Sequence, residues 1–89
     1  MSKVSRDVEA FLDYYHEMWK VMDSEADWET KYDFVFSLAR EMDDLPFRID
    51  YYDPDTSYEE DVRACFNAYT EKAEQLAKAF GISLDPEER

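Results

Sequence analysis

Residues 57–81, "SYEEDVRACFNAYTEKAEQLAKAFG", contain every signal of one long amphipathic helix. Ser57 followed by Glu60 matches a capping box, in which each side chain bonds the other residue's otherwise unpaired backbone amide. Gly81 stands where a helix commonly ends in a left-handed conformation. Apolar residues recur at spacings of three and four in between, which predicts one buried face. That face comprises Val62, Cys65, Phe66, Tyr69, Ala73, Leu76, Ala77 and Phe80.

Two earlier segments have the same periodicity and predict helices over residues 4–22 and 27–43. Ser2 or Ser5 is suited to cap the first, and the acidic run "DSEAD" (23–27) provides a turn and negative charge for the start of the second. Pro46 disfavours a helical Leu45, so the second helix should end before it. The first face is Val4, Val8, Phe11, Leu12, Tyr15, Trp19 and Met22; the second is Trp28, Tyr32, Val35, Phe36, Ala39 and Met42.

The segment "PFRIDYYDP" (46–54) is too short and too closely bounded by prolines for a full helix. We expect a short helical turn or an irregular crossover over residues 46–52, then the long helix over 57–80. Nothing in the pattern favours a sheet. One domain over residues 1–89 is therefore predicted: an all-α, compact antiparallel four-helix bundle with short connections and an acidic tail at 85–89.

The composition restricts the kind of partner. Ten Lys and Arg oppose twenty-three Asp and Glu, for a net charge of −13. Nucleic acids and anionic lipids are bound through basic side chains, so we expect neither, and the predicted partner is a basic protein. The single cysteine and the lack of a signal-like or membrane-spanning apolar run favour a cytoplasmic protein. So short a chain has little room for a catalytic cavity, and we do not expect an enzyme.

Acids are concentrated between residues 43 and 61, where eight acids and one base, Arg48, give a net charge of −7. Oxygen-bearing side chains alternate through "DPDTSYEED" (53–61) as in a calcium-binding loop. Such a loop requires glycine where Tyr58 stands and glutamate where Ala64 stands, so the match fails. Zinc would find only His16 and Cys65 as soft ligands. No metal or cofactor is predicted.

Catalytic interpretations also have simpler alternatives. Cys65 and His16 are a conceivable nucleophile and base. Cys65 lies on the apolar stripe, however, and a cysteine in that position is ordinarily a small, inert core residue. We expect His16 to be a surface residue with a satisfied ring. Paired carboxylates act as acid and base when burial raises their pKa, and the acids here are expected to be solvated. Trp19, Met22 and Trp28 are expected in the core.

Three tyrosines within the acidic run fall outside the main apolar stripes: Tyr51, Tyr52 and Tyr58. An exposed amphipathic ring is the type of residue that contributes most to protein interfaces. We expect only one of the adjacent Tyr51 and Tyr52 to point outward. The predicted partner-binding residues are Asp43, Asp44, Asp50, Tyr51, Tyr52, Asp53, Asp55, Tyr58, Glu59, Glu60 and Asp61.

The order helix, helix and then "FSLAREMDDLPFRIDYYDPDTSYEEDVRACF" (36–66) resembles the immunity proteins of the colicin D type and of contact-dependent growth inhibition systems. The resemblance covers roughly residues 34–66. It consists of an apolar helix ending in "DDLPFRID", then tyrosine, "DPD" and an acidic start to the last helix. The short "IDYYDPD" is also similar to the tyrosine pair before a proline in DNase-colicin immunity proteins.

This resemblance implies a four-helix cytoplasmic antidote that binds the nuclease domain of a cognate toxin and blocks its active site. The binding surface itself is inferred from charge and aromatic residues, with Tyr51 or Tyr52 at its centre. Two alternatives stay open: a phage-encoded or other nucleic-acid mimic that inactivates a host nuclease or defence complex, and a helical adaptor or oligomeric scaffold joined through exposed tyrosines. We expect a monomer.

Overall fold

The computed structural model describes residues 6–47, 49 and 57–84, and these residues form three α-helices and no strand. They are α1 (Arg6–Asp23), α2 (Trp28–Met42) and α3 (Tyr58–Phe80). The prediction of an all-α protein with three long helices is confirmed for these residues. The end of α1 and both ends of α2 and α3 lie within one residue of the expected positions, whereas the expected start of α1 at residue 4 lies outside the described residues. Ser2, Ser5 and the tail at 85–89 lie outside the described residues.

The predicted helix ends are confirmed where they can be compared. Ser57 is extended, and its Oγ accepts the Glu60 N–H at 3.2 Å, so the capping side chain starts α3 as expected. Gly81 has φ 67° and ψ 36°, and both Gly81 and Ile82 donate their backbone N–H to the Ala77 carbonyl. Asp27 caps α2 by accepting the Thr30 N–H at 2.8 Å.

The chain leaves α2 through a tightening turn. The Asp43 N–H still bonds the Ala39 carbonyl at 2.9 Å, whereas Leu45 bonds Met42, three residues back, at 3.0 Å. Pro46 and Phe47 that follow are not helical. The short third helix expected over 46–52 is therefore not confirmed, and most of its residues lie outside the described ones.

Contacts between the helices give the direction of α3. α1 and α2 form an antiparallel hairpin. Lys31 Nζ donates to the Met22 carbonyl at 2.9 Å across the connecting turn, and Phe47, just beyond the end of α2, packs against Phe11 near the start of α1. The ring of Tyr58 contacts that of Tyr32 near the start of α2, whereas Tyr69, further along α3, donates its hydroxyl to the Ala39 carbonyl near the end of α2. α3 therefore runs in the same direction as α2.

A four-helix bundle with antiparallel neighbours has parallel second and fourth helices, so this direction is consistent with the predicted order once the short third element, itself not confirmed, is counted between α2 and α3. Two parallel neighbours require the chain to return along the length of α2, whose 15 residues extend about 22 Å. Residues 44–56 can span that distance, because an extended chain covers about 3.3 Å per residue. At the start of this return, Phe47 packs edge-on against Phe11 with ring centroids 5.4 Å apart.

The core follows the predicted stripes closely. Fully buried side chains come from all three helices: Val8, Phe11, Leu12, Tyr15, Met18, Val35, Met42, Val62 and Cys65. Trp19, Met22 and Trp28 pack against this core while staying partly exposed, and Phe80 is exposed despite its place on the stripe. His16, expected at the surface, is 9% exposed. Its ring lies beneath the chain that follows α3, a position that periodicity along α1 cannot reveal.

Candidate functional site

The predicted partner-binding residues do not form one surface within the described part of the chain. Asp50, Tyr51, Tyr52, Asp53 and Asp55 lie outside the described residues. The remaining six belong to two groups: Asp43 and Asp44 follow α2, whereas Tyr58, Glu59, Glu60 and Asp61 form the first turn of α3.

The two groups are separated by the parallel arrangement of α2 and α3. Tyr58 packs against Tyr32, which precedes Asp43 by eleven residues on the same helix. At 1.5 Å per residue, that separation is about 16 Å along the axis of α2. The acids that are close in sequence therefore divide between opposite ends of α2.

Asp43 has a role within the fold. Its Oδ1 accepts the Tyr69 hydroxyl at 3.1 Å, at one edge of a cleft of about 320 Å³ between α2 and α3. Arg40 and Ile49 line the same cleft, with Cys65 at its base. A carboxylate held by a hydrogen bond from a buried tyrosine is less available to a partner than a fully solvated one.

Asp61 was predicted as part of the exposed acidic surface, and this is wrong. The residue is 6% exposed and lies in the first turn of α3, one helical turn before the buried Cys65. A carboxylate is favourable there because the unpaired N–H groups of a helix N-terminus carry partial positive charge. Asp61 thus belongs to the helix start and its packing, and of the acids in this turn Glu59 and Glu60 are exposed.

Tyr58 is exposed as predicted, at 48% of its surface. Its ring meets Tyr32 edge-on with centroids 5.2 Å apart, and Tyr32 in turn packs on Phe36 at 4.4 Å. We call Tyr32, Phe36, Tyr58, Glu59 and Glu60 the Tyr58 surface. It presents an aromatic ring in a fixed position beside two exposed carboxylates.

Beside the Tyr58 surface, the Trp28 ring contacts two cations. Lys31 Nζ is 4.4 Å from the ring centroid and Arg63 Cζ is 5.0 Å from it, within the range of cation–π attraction. Arg63 also pairs with Glu59 at 2.9 Å. Trp28 was predicted only as a core residue. Its spacing of three residues from Lys31 on one helix could have predicted the contact between the two side chains.

A second cleft, of about 400 Å³, lies between α1 and α3 and was not anticipated. We call it the α1–α3 cleft. Tyr15 stacks on Phe66 with centroids 5.4 Å apart and meets Trp19 edge-on at 5.7 Å. The full lining is Tyr15, Trp19, Met22, Asp23, Phe66, Thr70, Glu74 and Leu84. The sequence contained one indication that these residues share a surface. Trp19 and Asp23 are four residues apart on α1, and Phe66, Thr70 and Glu74 are each four apart on α3, so each set lies on one helix face.

Hydrogen bonds fix the floor of the α1–α3 cleft. Thr70 Oγ1 donates to the Phe66 carbonyl at 2.7 Å, so the Tyr15 hydroxyl donates to Thr70 Oγ1 at 2.9 Å. Burial raises the pKa of Tyr15; the Thr70 hydrogen bond opposes this shift, and the negative charge of Glu74 adds to it. Tyr15 therefore stays a neutral hydroxyl at physiological pH.

One wall of the α1–α3 cleft comes from the chain after α3. Gly81 reverses the chain direction, and His16 Nε2 then donates to the Leu84 carbonyl at 3.0 Å. The imidazole also lies beside Trp19, with ring centroids 6.5 Å apart. His16 thus connects the chain after α3 to the middle of α1.

Within the described ranges, no group of three or more His, Cys, Asp and Glu side chains is placed to hold a metal ion. None of the helices in those ranges combines the length and apolarity needed to cross a bilayer. The chain matches no protein-family model, and comparison with curated proteins and with solved structures gives no significant match.

Proposed function

We propose that this chain is an immunity protein, which binds and neutralises a basic nuclease toxin domain through an acidic, tyrosine-bearing surface. The observation that carries the proposal is the exposed Tyr58 ring, supported by Tyr32 and flanked by Glu59 and Glu60. Because the ring is already held, binding costs little side-chain ordering.

Charge gives the partner's chemical class. A net charge of −13 attracts a basic protein, and nucleases are basic where they contact phosphates. Complementary charge raises association rates towards about 10⁸–10⁹ M⁻¹s⁻¹ at low salt, while a few desolvated side chains supply lasting affinity. In the proposed complex Tyr58 is one such side chain and the acids around it act mainly on rate and selectivity.

The resemblance over residues 34–66 to colicin D-type and contact-dependent inhibition immunity proteins points to the same role. In that interpretation Asp50, Tyr51, Tyr52, Asp53 and Asp55, which lie outside the described residues, also take part in toxin binding. The protein then acts in the cytoplasm of the cell that makes the toxin, as a monomer that covers the nuclease.

A co-expression experiment tests the proposal. The C-terminal domain encoded by the adjacent gene is induced with and without this chain, and surviving colonies are counted; nuclease activity is then assayed with the purified pair. We expect killing without the chain, survival with it and a stable complex on gel filtration. An adjacent gene whose product is harmless contradicts the proposal and favours a nucleic-acid mimic.

Two exposed aromatic residues allow a test variant and a matched control variant for the proposed binding surface. Tyr58 and Phe34 are 48% and 57% exposed, and Phe34 is two residues from both Tyr32 and Phe36, so it points away from the Tyr58 surface. Tyr58→Ala should weaken toxin binding at least tenfold, because the proposal makes Tyr58 one of the few central residues whose truncation costs about 2 kcal/mol or more. Phe34→Ala should leave affinity unchanged. Equal affinities for both variants and wild type would place the binding site elsewhere.

Tyr51→Ala, Tyr52→Ala and the lysine substitutions of Asp53 and Asp55 test the remainder of the proposed surface. Each variant should lose protection while its helical circular dichroism stays that of wild type. Full protection by all of them would remove these residues from the site.

A further inference from the structure

Arg63 is held in one orientation at the edge of the Tyr58 surface. Its Nε donates to Glu59 Oε2 at 2.9 Å, and its Cζ lies 5.0 Å from the centre of the Trp28 ring. The first contact is made within α3, and the second reaches across to the start of α2. A guanidinium that is bonded at one edge and covered by an aromatic face has little rotational freedom left.

The other donors of Arg63 are available to a partner. A guanidinium has five N–H donors, and Glu59 takes the one on Nε. The two terminal nitrogens form no hydrogen bond or ion pair with any residue that the structure describes. The Arg63 side chain is 57% exposed, which leaves these donors accessible. An edge with two such nitrogens can bind both oxygens of one carboxylate.

The second cation on the Trp28 ring is not available in the same way. Lys31 is buried, and its Nζ donates to the Met22 carbonyl at 2.9 Å. Its charge therefore serves the turn between α1 and α2. Of the two cations on Trp28, Arg63 is the one that a partner can reach.

We infer that Arg63 is a specificity-determining residue, whose terminal nitrogens bind an aspartate or glutamate side chain of the partner protein. The inference rests on the proposed function, because the Tyr58 surface brings the nuclease domain to this position. Glu59 connects the two, since it belongs to the Tyr58 surface and also holds Arg63. An interface of ordinary size covers about 800 Å² of each partner and can include both.

The charge of the surroundings explains why Arg63 acts on specificity. The chain has a net charge of −13 and attracts basic proteins in general. A cation that faces a basic protein weakens binding unless an acid of that protein lies opposite, because like charges repel across an interface. Arg63 therefore disfavours basic proteins that lack this acid and favours the one that has it.

A protein carboxylate is favoured over a phosphate as the occupant. Both groups fit the two-nitrogen edge of an arginine. A nucleic acid is repelled by the net negative charge of the chain, whereas a carboxylate on a basic protein arrives with its carrier. Binding of a labelled oligonucleotide that is lost in Arg63→Gln would assign the edge to a phosphate and overturn the inference.

Side-chain relaxation in NMR tests the fixed orientation without any partner. The order parameter of the Nε–Hε bond should be higher for Arg63 than for Arg40, which is exposed and has no ion pair within the described ranges. Trp28→Leu should lower the Arg63 value towards that of Arg40. Equal values for the two arginines in the wild type would overturn the inference, since Arg63 would then be no more ordered than another exposed arginine.

The sign of an affinity change tests the carboxylate contact. The C-terminal domain encoded by the adjacent gene is titrated into wild type, Arg63→Gln and Lys78→Gln. Both substitutions remove one positive charge from an exposed position of α3, so net charge alone predicts tighter binding for both. We expect Arg63→Gln to bind at least about tenfold more weakly, because the partner's carboxylate loses its counter-charge.

Lys78→Gln is the matched control and should bind as tightly as wild type or slightly more tightly. Equal or tighter binding by Arg63→Gln would overturn the inference. Arg63→Lys keeps the charge but not the two-nitrogen edge, so it should recover only part of the affinity. Full affinity in Arg63→Lys would overturn the bidentate contact. Circular dichroism of each variant should match wild type, so that a loss of affinity is not a loss of folding.

The two proposals can fail separately. An adjacent gene product that is harmless contradicts the immunity function, whatever the order parameter of Arg63. A stable toxin complex whose affinity does not fall in Arg63→Gln leaves the immunity function intact and removes the Arg63 contact from it.

Discussion

The hydroxyl of Tyr69 donates a hydrogen bond of 3.1 Å to Oδ1 of Asp43, joining the middle of α3 to the residue that ends α2. The same hydroxyl lies 3.4 Å from the Ala39 carbonyl. An acid from the most negatively charged part of the sequence thus helps to fix the packing of two parallel helices.

A double-mutant cycle measures this contact. Tyr69→Phe and Asp43→Ala should each lower the free energy of unfolding by about 1 kcal/mol, and the double variant should lose less than the sum. Urea denaturation gives the values. Asp44→Ala, at the exposed next position, is the control and should stay within about 0.5 kcal/mol of wild type. Strictly additive losses would show that the two side chains act independently.

The parallel direction of α2 and α3 is tested by distance measurement. Nitroxide labels on cysteines introduced at Asp33 and Glu59, in a Cys65→Ala background, should give a shorter distance than labels at Asp44 and Glu59. The reason is that α3 begins beside Tyr32 rather than beside the end of α2. Electron–electron double resonance measures the distance between the two labels in each pair. A shorter 44–59 distance would show instead that α3 runs antiparallel to α2.

Gly81 should be sensitive to substitution for conformational reasons alone. Its φ is 67°, and a Cβ atom built on it meets no atom within 4 Å. Gly81→Ala should therefore cost about 1 kcal/mol through the left-handed backbone and not through a clash. Gly81→Asn should cost less, because asparagine tolerates this conformation better. Thermal unfolding distinguishes them, and a stabilised alanine variant would contradict the cap geometry.

Asp27 should contribute pH-dependent stability. Hydrogen bonds from Thr30 lower the pKa of the Asp27 carboxyl, so the native state favours the ionised form. This contribution is fully present above the unfolded-state pKa of about 3.9 and is lost as pH falls through the lower native value. Asp27→Asn keeps a capping oxygen but cannot titrate.

Melting curves of wild type and Asp27→Asn between about pH 2 and 6 check the sign. The advantage of wild type over Asp27→Asn should be largest at the upper end and should disappear at the lower end. An advantage that grows on acidification would contradict the assignment of Asp27 as an ionised cap.

Local signals predicted most of the helical structure. Ser57 and Gly81 bound α3 because a capping hydroxyl and a left-handed glycine act on backbone groups within a few residues. Cys65 was correctly expected in the core because its place on the apolar stripe depends only on the helical period. These features need no knowledge of the other helices.

Tertiary structure decided how those helices combine. Helical period shows which face of α3 is apolar but not whether α3 runs parallel or antiparallel to α2, since both directions bury the same stripe. Only packing places Asp61 and His16 in the interior, separates Asp43 from Glu59, and brings Asp23 and Glu74 to one cleft. The physical reason is that charge and hydrophobic periodicity can be read from the order of residues along the chain. Which side chains lie close together in space depends on which helix faces pack against each other.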